Sequence, residues 1–269
     1  MAQPLGTIPV FPIAETRFGR MFTLQGDTVI GRSLRLYGEF AGDEVDSILS
    51  LVQPGDHALD LGANIGFHTL ALAQKVGPTG QITSIEPQRY CFQLLCANVT
   101  ANQLTTVQCL RAAVGDGPGH CEVPLLDPRA AHNAGATEVS LQAKDAGPSD
   151  RVTLITVDGL NLPRCNLIKV DTEGFEDRVI AGARRTIETF RPTLYIEVHD
   201  RAKLQALVGQ LRPLGYGLTL HHTHFYRAGN PQREGAMIFT PTAGGSALIA
   251  LPPGRSLPEG LPGKLQVIA

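Results

Sequence analysis

The sequence has no C-x-x-C pair, no long apolar run, no large surplus of either charge and no dinucleotide fingerprint. Each absence closes off a class of protein. The five cysteines, Cys91, Cys96, Cys109, Cys121 and Cys165, are an odd number and sit mostly within apolar patterns. That usage reads as free thiols in a reducing compartment, not as a disulfide framework. No apolar stretch approaches the roughly 18 residues that mark a membrane span. Pro4, Pro9 and Pro12 interrupt the N-terminus, which lacks a basic segment followed by an apolar one. No secretory leader is read there, and a cytoplasmic protein is the expectation. A formal net charge of −2 supplies no broad basic field to attract nucleic acid or an anionic membrane. What is present is a 43% hydrophobic content, enough for a full core, on 269 residues. A homo-oligomer stays open.

The chain is organised around His57 to His68. Ala58-Leu59-Asp60-Leu61 is a short apolar run carrying one acid. Gly62 and Gly66 allow a tight turn, and Phe67 onward continues with helical spacing. The pattern predicts strand, glycine turn, helix. The spacing Asp60-x-Gly62-x-Asn64-x-Gly66 differs from G-x-G-x-x-G. A carboxylate in the motif repels a diphosphate and suits a ligand with a cationic part. Gln81 to Ile85 predicts the next strand, closed by Glu86-Pro87. An acid about 20 residues past such a turn accepts ribose hydroxyls, and Pro87 offers an apolar ring to a base. Val107 to Leu110 predicts a third strand. The small residues after it, Ala113 among them, let backbone amides approach a base edge.

The remaining elements alternate. A hairpin is expected from Arg17–Leu24 and Thr28–Ile30 around Gln25-Gly26-Asp27, then a helix over Glu44–Val52. Between them, Tyr37-Gly38-Glu39-Phe40 is placed to fold over a ligand bound at the glycine turn. Helices are predicted over Tyr90–Asn102, from Val179 to Ile187 and over Lys203–Leu211. Asn98 and Asn102 read as surface and C-cap positions. Further strands fall on Val152–Val157, Asn166–Val170, Pro192–Glu197, Leu218–Leu220 and Ala247–Leu251. This is an α/β fold with a mainly parallel sheet. The expected organisation is an N-terminal arm, hairpin and helix over 1–55, the main domain over 56–251, and a weakly ordered Pro/Gly-rich tail over 252–269. Residues 117–150 form an unusually long connection, with extended candidates at Cys121–Leu126 and Thr137–Leu141. Its 120–145 portion is expected to act as a lid or pocket wall.

Asp60, Asp171 and Glu197 end the first, fourth and fifth strands of the sheet. In open α/β sheets ligands bind beyond the carboxyl ends of the strands, so these acids converge on one cleft. Taken together, Asp60-Leu61-Gly62-Ala63-Asn64-Ile65-Gly66, Glu86-Pro87, Ile168-Lys169-Val170-Asp171-Thr172-Glu173-Gly174-Phe175-Glu176, Asn133-x-Gly135 and Arg191-Pro192 before Ile196-Glu197 resemble the FkbM family of methyltransferases. The resemblance runs from about Tyr37 to about Asn230. It implies a Rossmann-like seven-strand methyltransferase sheet whose last strand is antiparallel. It also implies S-adenosylmethionine (SAM) as cofactor and O-methylation of a small molecule, often a sugar or natural-product hydroxyl. The expected SAM contacts are Tyr37, Glu39, Asp60, Gly62, Asn64, Gly66, Phe67, Glu86, Pro87, Ala113 and Asp171.

An alcohol must lose its proton as it is methylated, and Asp171, Glu197 and His199 are the candidate bases. The same three offer a weaker possibility of holding a divalent cation. Asn133, Glu173, His222 and His224 are candidates for the acceptor site; His222 and His224 fall on one face of a strand-like run. A nucleic-acid adenine methyltransferase is disfavoured, because Asp171-Thr172-Glu173-Gly174 stands where an N/D-P-P-Y/F segment belongs. A SAM-binding module without activity and a nicotinamide-dependent oxidoreductase are the competing readings.

Overall fold

The computed structural model describes residues 11–133, 135, 148–227, 238–240 and 242–268. Its centre is β3 (His57–Leu61), buried at every position. β4 (Gln81–Ile85) and β5 (Val107–Leu110) extend the sheet on one side, and β9 (Leu167–Val170) and β10 (Thr193–Glu197) on the other, all parallel. A central parallel strand is covered on both faces, so alternate residues enter different cores. Leu59 and Leu61 pack with Val179 and Leu207 from α5 (Glu176–Ala181) and α7 (Arg201–Leu211). Ala58 packs on the opposite face with Ile48 of α2 (Gly42–Ser50) and Leu72 and Val76 of α3 (Phe67–Val76).

β12 (Gly244–Leu251) inserts antiparallel between β10 and β11 (Gly217–His224). These seven strands are the expected methyltransferase sheet. An eighth, β13 (Lys264–Val267), pairs antiparallel with β11 at the edge. The tail was expected to be weakly ordered, and this is a correction. All four β13 residues are exposed, so no buried apolar pattern announces the strand. It is held by main-chain pairing and by His221 Nε2, 2.8 Å from the Pro262 carbonyl.

The N-terminal hairpin forms one turn earlier than its sequence suggested. β1 (Ile13–Thr16) pairs with β2 (Gly19–Phe22), while Ile30 opens α1 (Ile30–Tyr37). Gln25-Gly26-Asp27 is used differently: the Asp27 carboxylate accepts from the Val29 and Gly31 amides at 3.0 and 2.8 Å and so starts α1. Asn98 of α4 (Arg89–Ala101) is also corrected. It is fully buried and bridges two segments, accepting from Phe22 N at 2.6 Å and donating to Ile65 O at 2.8 Å. Asn102 is the α4 C-cap as expected.

Within the long connection, β7 (Gly119–Pro124) and β8 (Ser149–Ile155) pair antiparallel. With β6 (Ala113–Val114) they make a separate three-stranded sheet. The extended candidate Thr137–Leu141 lies outside the described residues.

Candidate active site

The glycine turn after β3 is fixed by steric necessity. Gly62 has φ +77°, and a Cβ there would sit 1.6 Å from the Asp171 carbonyl oxygen. The turn and the end of β9 therefore approach closely only because position 62 is glycine. Asn64 also takes a left-handed conformation (φ +50°), with its Oδ1 accepting from Ile65 N at 2.7 Å. Gly66 caps α3 at φ +94°; a Cβ there would meet Leu95 at 2.7 Å.

The turn holds Glu86. Asn64 N donates to Oε2 and Gln88 N to Oε1, both at 2.8 Å. Both carboxylate oxygens are thus anchored to main chain and keep lone pairs for a ligand. Burial pushes the Glu86 carboxyl up to about 7, opposed by these amide bonds and reinforced by Asp171.

Two adjoining cavities open above the strand ends. The first, of about 650 Å³, has Glu86, Pro87, Ala113, Val123 and Phe175 in its wall. The second, of about 780 Å³, has Phe40, His68, Asn133, Glu197 and Phe225. Gly62, Asn64, Asp171 and Glu173 line both and form the ridge between them. Gly135, part of the Asn133-x-Gly135 segment, also borders both. Its amide donates to Asn133 Oδ1 at 3.2 Å.

The ridge is strongly charged. Lys169 is 2% exposed. Its Nζ lies 3.1 Å from Asp60 Oδ1, 3.3 Å from Asp171 Oδ2 and 3.3 Å from the Gly62 carbonyl. Burial alone would lower the Lys169 pKa, but Asp60 and Asp171 outweigh it and raise it. Asp171 is likewise held ionised against its burial, first by Lys169 and then by a hydrogen bond from Glu197. Glu197 is pushed up to about 12 by burial and by the Asp171 charge, so it carries the proton of the pair. His199 Nε2 stands 3.4 Å from Glu197 and 3.5 Å from Glu173.

Most of the residues singled out in the sequence meet here: Gly62, Asn64, Phe67, Glu86, Pro87, Ala113, Asn133, Asp171, Glu173 and Glu197 line the cavities. His199 joins through Glu173 and Glu197. Gly66 lies behind, shaping the turn. Others are placed elsewhere. Asp60 is fully buried beneath the ridge, receiving Thr69 Oγ1 at 2.6 Å as well as Lys169. Glu39 is engaged by Arg227 at 2.9 Å and is 1% exposed. The Tyr37 hydroxyl accepts from Ile238 N at 2.9 Å, and its ring faces Tyr226. Neither Tyr37 nor Glu39 lines either of these two cavities; Phe40 of that segment lines the second.

His222 and His224 are exposed on one face of β11, away from both cavities. The buried histidine of that run is His221, bonded to Tyr195 Oη at 3.0 Å. Lys169, His68 and Phe225 were missed. Lys169 had a legible signal, because a lysine inside a fully apolar strand needs buried counter-charges.

Known proteins agree with this geometry. The Methyltransferase FkbM domain family matches residues 60–218. The hexuronic acid methyltransferase AglP of Haloferax volcanii is 26% identical over 206 residues, covering 74% of this chain and 79% of that protein. The crystal structure of methyltransferase FkbM from Methylobacillus flagellatus superposes with a TM-score of 0.50 at 20% identity. That likeness is one of fold, and it covers 74% of this chain but only 44% of the other. The chain belongs to the FkbM family and is a SAM-dependent methyltransferase.

Proposed function

We propose that the protein methylates a hydroxyl oxygen of a sugar or related small molecule, with SAM in the first cavity and the acceptor in the second. The observation that carries this is the position of Asp171, an ionised carboxylate on the ridge between the cavities. The donor set suits SAM. Glu86 presents anchored oxygens to a ribose diol, and Pro87, Ala113 and Phe175 form an apolar wall for a purine. The acids of the ridge oppose the ammonium and sulfonium charges. Bound SAM supplies an electrophilic methyl group.

The chain's own residues then position the acceptor oxygen and take its proton. Much of the rate in such a displacement comes from alignment. Asp171 is placed to accept the hydroxyl proton, with Lys169 holding its orientation. Phe40 and Phe225, stacked with centroids 5.3 Å apart, give the second cavity an aromatic wall suited to the apolar face of a pyranose. The hexuronic acid relative supports a sugar acceptor.

The test uses methyl-labelled SAM with a panel of hexoses, hexuronates and glycosides. The expected product is an alkali-stable methyl ether. Alkali-labile label marks a carboxyl ester and overturns the hydroxyl reading, and SAM binding without turnover on any acceptor favours an inactive module.

Glu86 adds a pH dependence. A diol donates hydrogen bonds to the ionised carboxyl, whose pKa in the free protein is raised to about 7. Ligand affinity should therefore rise with pH and level off above neutrality, a gain of about tenfold from pH 6 to pH 8. The clean probe is 5′-methylthioadenosine, which keeps the diol and lacks the titrating ammonium. Glu86→Gln should flatten the profile and cost about 1.5–3 kcal/mol, more than tenfold, at pH 8. Calorimetry that finds a flat profile in the unmodified protein would remove Glu86 from the ribose site.

A further inference from the structure

We propose that the side-chain amide of Gln88 reads the adenine of the cofactor, with Nε2 donating a hydrogen bond to the ring nitrogen N3. The assignment rests on the reading of the first cavity as the SAM cavity. It adds a contact to the base, where Glu86 serves the sugar.

The first observation is an orphaned donor. Gln88 is 2% exposed and borders the first cavity. Its Oε1 accepts from Cys91 N at 2.9 Å and so caps α4. A backbone amide can only donate, so this bond fixes which end of the side chain is oxygen and which is nitrogen. Nε2 is buried and has no hydrogen-bond partner among the described residues. An unpaired buried amide donor is unfavourable, and a ligand acceptor relieves it.

The second observation is what surrounds that donor. N3 of an adenosine flanks the glycosidic bond. A base whose ribose is held by Glu86 therefore brings N3 towards the segment that follows this acid. The main chain there is not free to serve it. Pro87 has no N–H. The amides of Asn64 and Gln88 are both committed to Glu86. Those of Gly62 and Ala63 are committed to the Ile85 carbonyl at 2.9 and 3.0 Å. Beyond Pro87 the wall continues through the apolar side chains of Ala112, Ala113 and Phe175. Gln88 supplies a polar side chain between the ribose acid and that wall.

The two ends of the amide thus have separate duties. Oε1 locks the side chain against the first turn of α4, so Nε2 is already ordered when the base arrives. A donor held in this way loses little rotamer freedom on binding.

The experiment compares S-adenosylhomocysteine with its 3-deaza analogue, in which C–H replaces N3, by calorimetry on the full chain at pH 8. We expect the unmodified protein to prefer the parent by about tenfold. Gln88→Glu keeps an oxygen for Cys91 N and removes the donor, whereas Gln88→Met removes both. In each variant, verified as folded by circular dichroism, the preference should fall below about threefold. The readout is a ratio of two ligands on one protein, so a general loss of stability or of cavity shape does not imitate it. Equal affinity for the two ligands in the unmodified protein, or an undiminished preference in either variant, overturns the assignment. Glu86→Gln is measured alongside. Weaker binding of both ligands there, with no preference lost in the Gln88 variants, defeats Gln88 alone and leaves the cavity reading standing. Wild-type affinity for both ligands in Glu86→Gln defeats the cavity reading and this inference with it.

Discussion

Asp171→Asn should lower kcat by roughly 10²- to 10⁴-fold and leave the fold intact, if Asp171 takes the acceptor proton. The substitution keeps the side-chain shape. It also keeps the main-chain bond from Asp171 N to Leu61 O at 2.9 Å, which seats the residue at the end of β9. Lys169 retains Asp60, so the buried pair beneath the ridge survives. What is lost is the charge of one of the two carboxylates, Asp171 and Glu173, that line both cavities. If Asp171 instead holds the ammonium of SAM, the loss appears mainly in SAM affinity and much less in kcat. Steady-state kinetics and calorimetry on the same preparation separate the two. Wild-type values in both would reduce Asp171 to a structural cap at the start of the following helix.

Lys169→Met should cost about 3–5 kcal/mol of stability. The Lys169 ammonium is the buried counter-charge of Asp60, which is 0% exposed. Removing it leaves a carboxylate in the sheet interior with the Thr69 hydroxyl as its remaining donor, since a methionine stem fills the space without donating. The loss should shrink strongly in the double variant Asp60→Leu/Lys169→Met, because an ion pair replaced on both sides by apolar groups is often neutral. Urea unfolding curves measure this. A single-variant loss below about 1 kcal/mol would place Asp60 and Lys169 among weak surface-type pairs.

The sheet was legible because its strands carry their own patterns. β3, β4, β9 and β10 are short apolar runs bounded by glycine, proline or acids, and periodicity identifies such runs without reference to the rest of the chain. The first cavity was legible for the same reason: Gly62, Asn64, Glu86 and Pro87 belong to two adjacent strand–turn–helix units.

The second cavity was not, because it is assembled from distant segments. Phe40 meets Phe225 across most of the chain. The pairing of Glu39 with Arg227 spans 188 positions, and no local pattern records it. His222 and His224 were misplaced through strand parity. Alternation correctly put them on one face, but only the pairing of β11 with β12 and β13 decides that His221 faces inward. Asp60 shows a further limit. Its position in the motif is the same whether it touches a ligand or a buried lysine, and Lys169 stands 107 residues beyond Gly62 in the chain.

The small strand β13 decides which edge the sheet presents to solvent. Without it, β11 would end the sheet as a long row of open main-chain donors and acceptors, a template for any extended segment that meets it. β13 covers Thr219 to His222 of that row. It presents outward a strand of only four residues, Lys264 to Val267, and short edges recruit poorly. His221 ties this guard to the interior, since one ring nitrogen meets Tyr195 within the sheet and the other meets Pro262 just ahead of β13. A histidine far from the chemistry thus clamps the edge strand to the interior of the sheet.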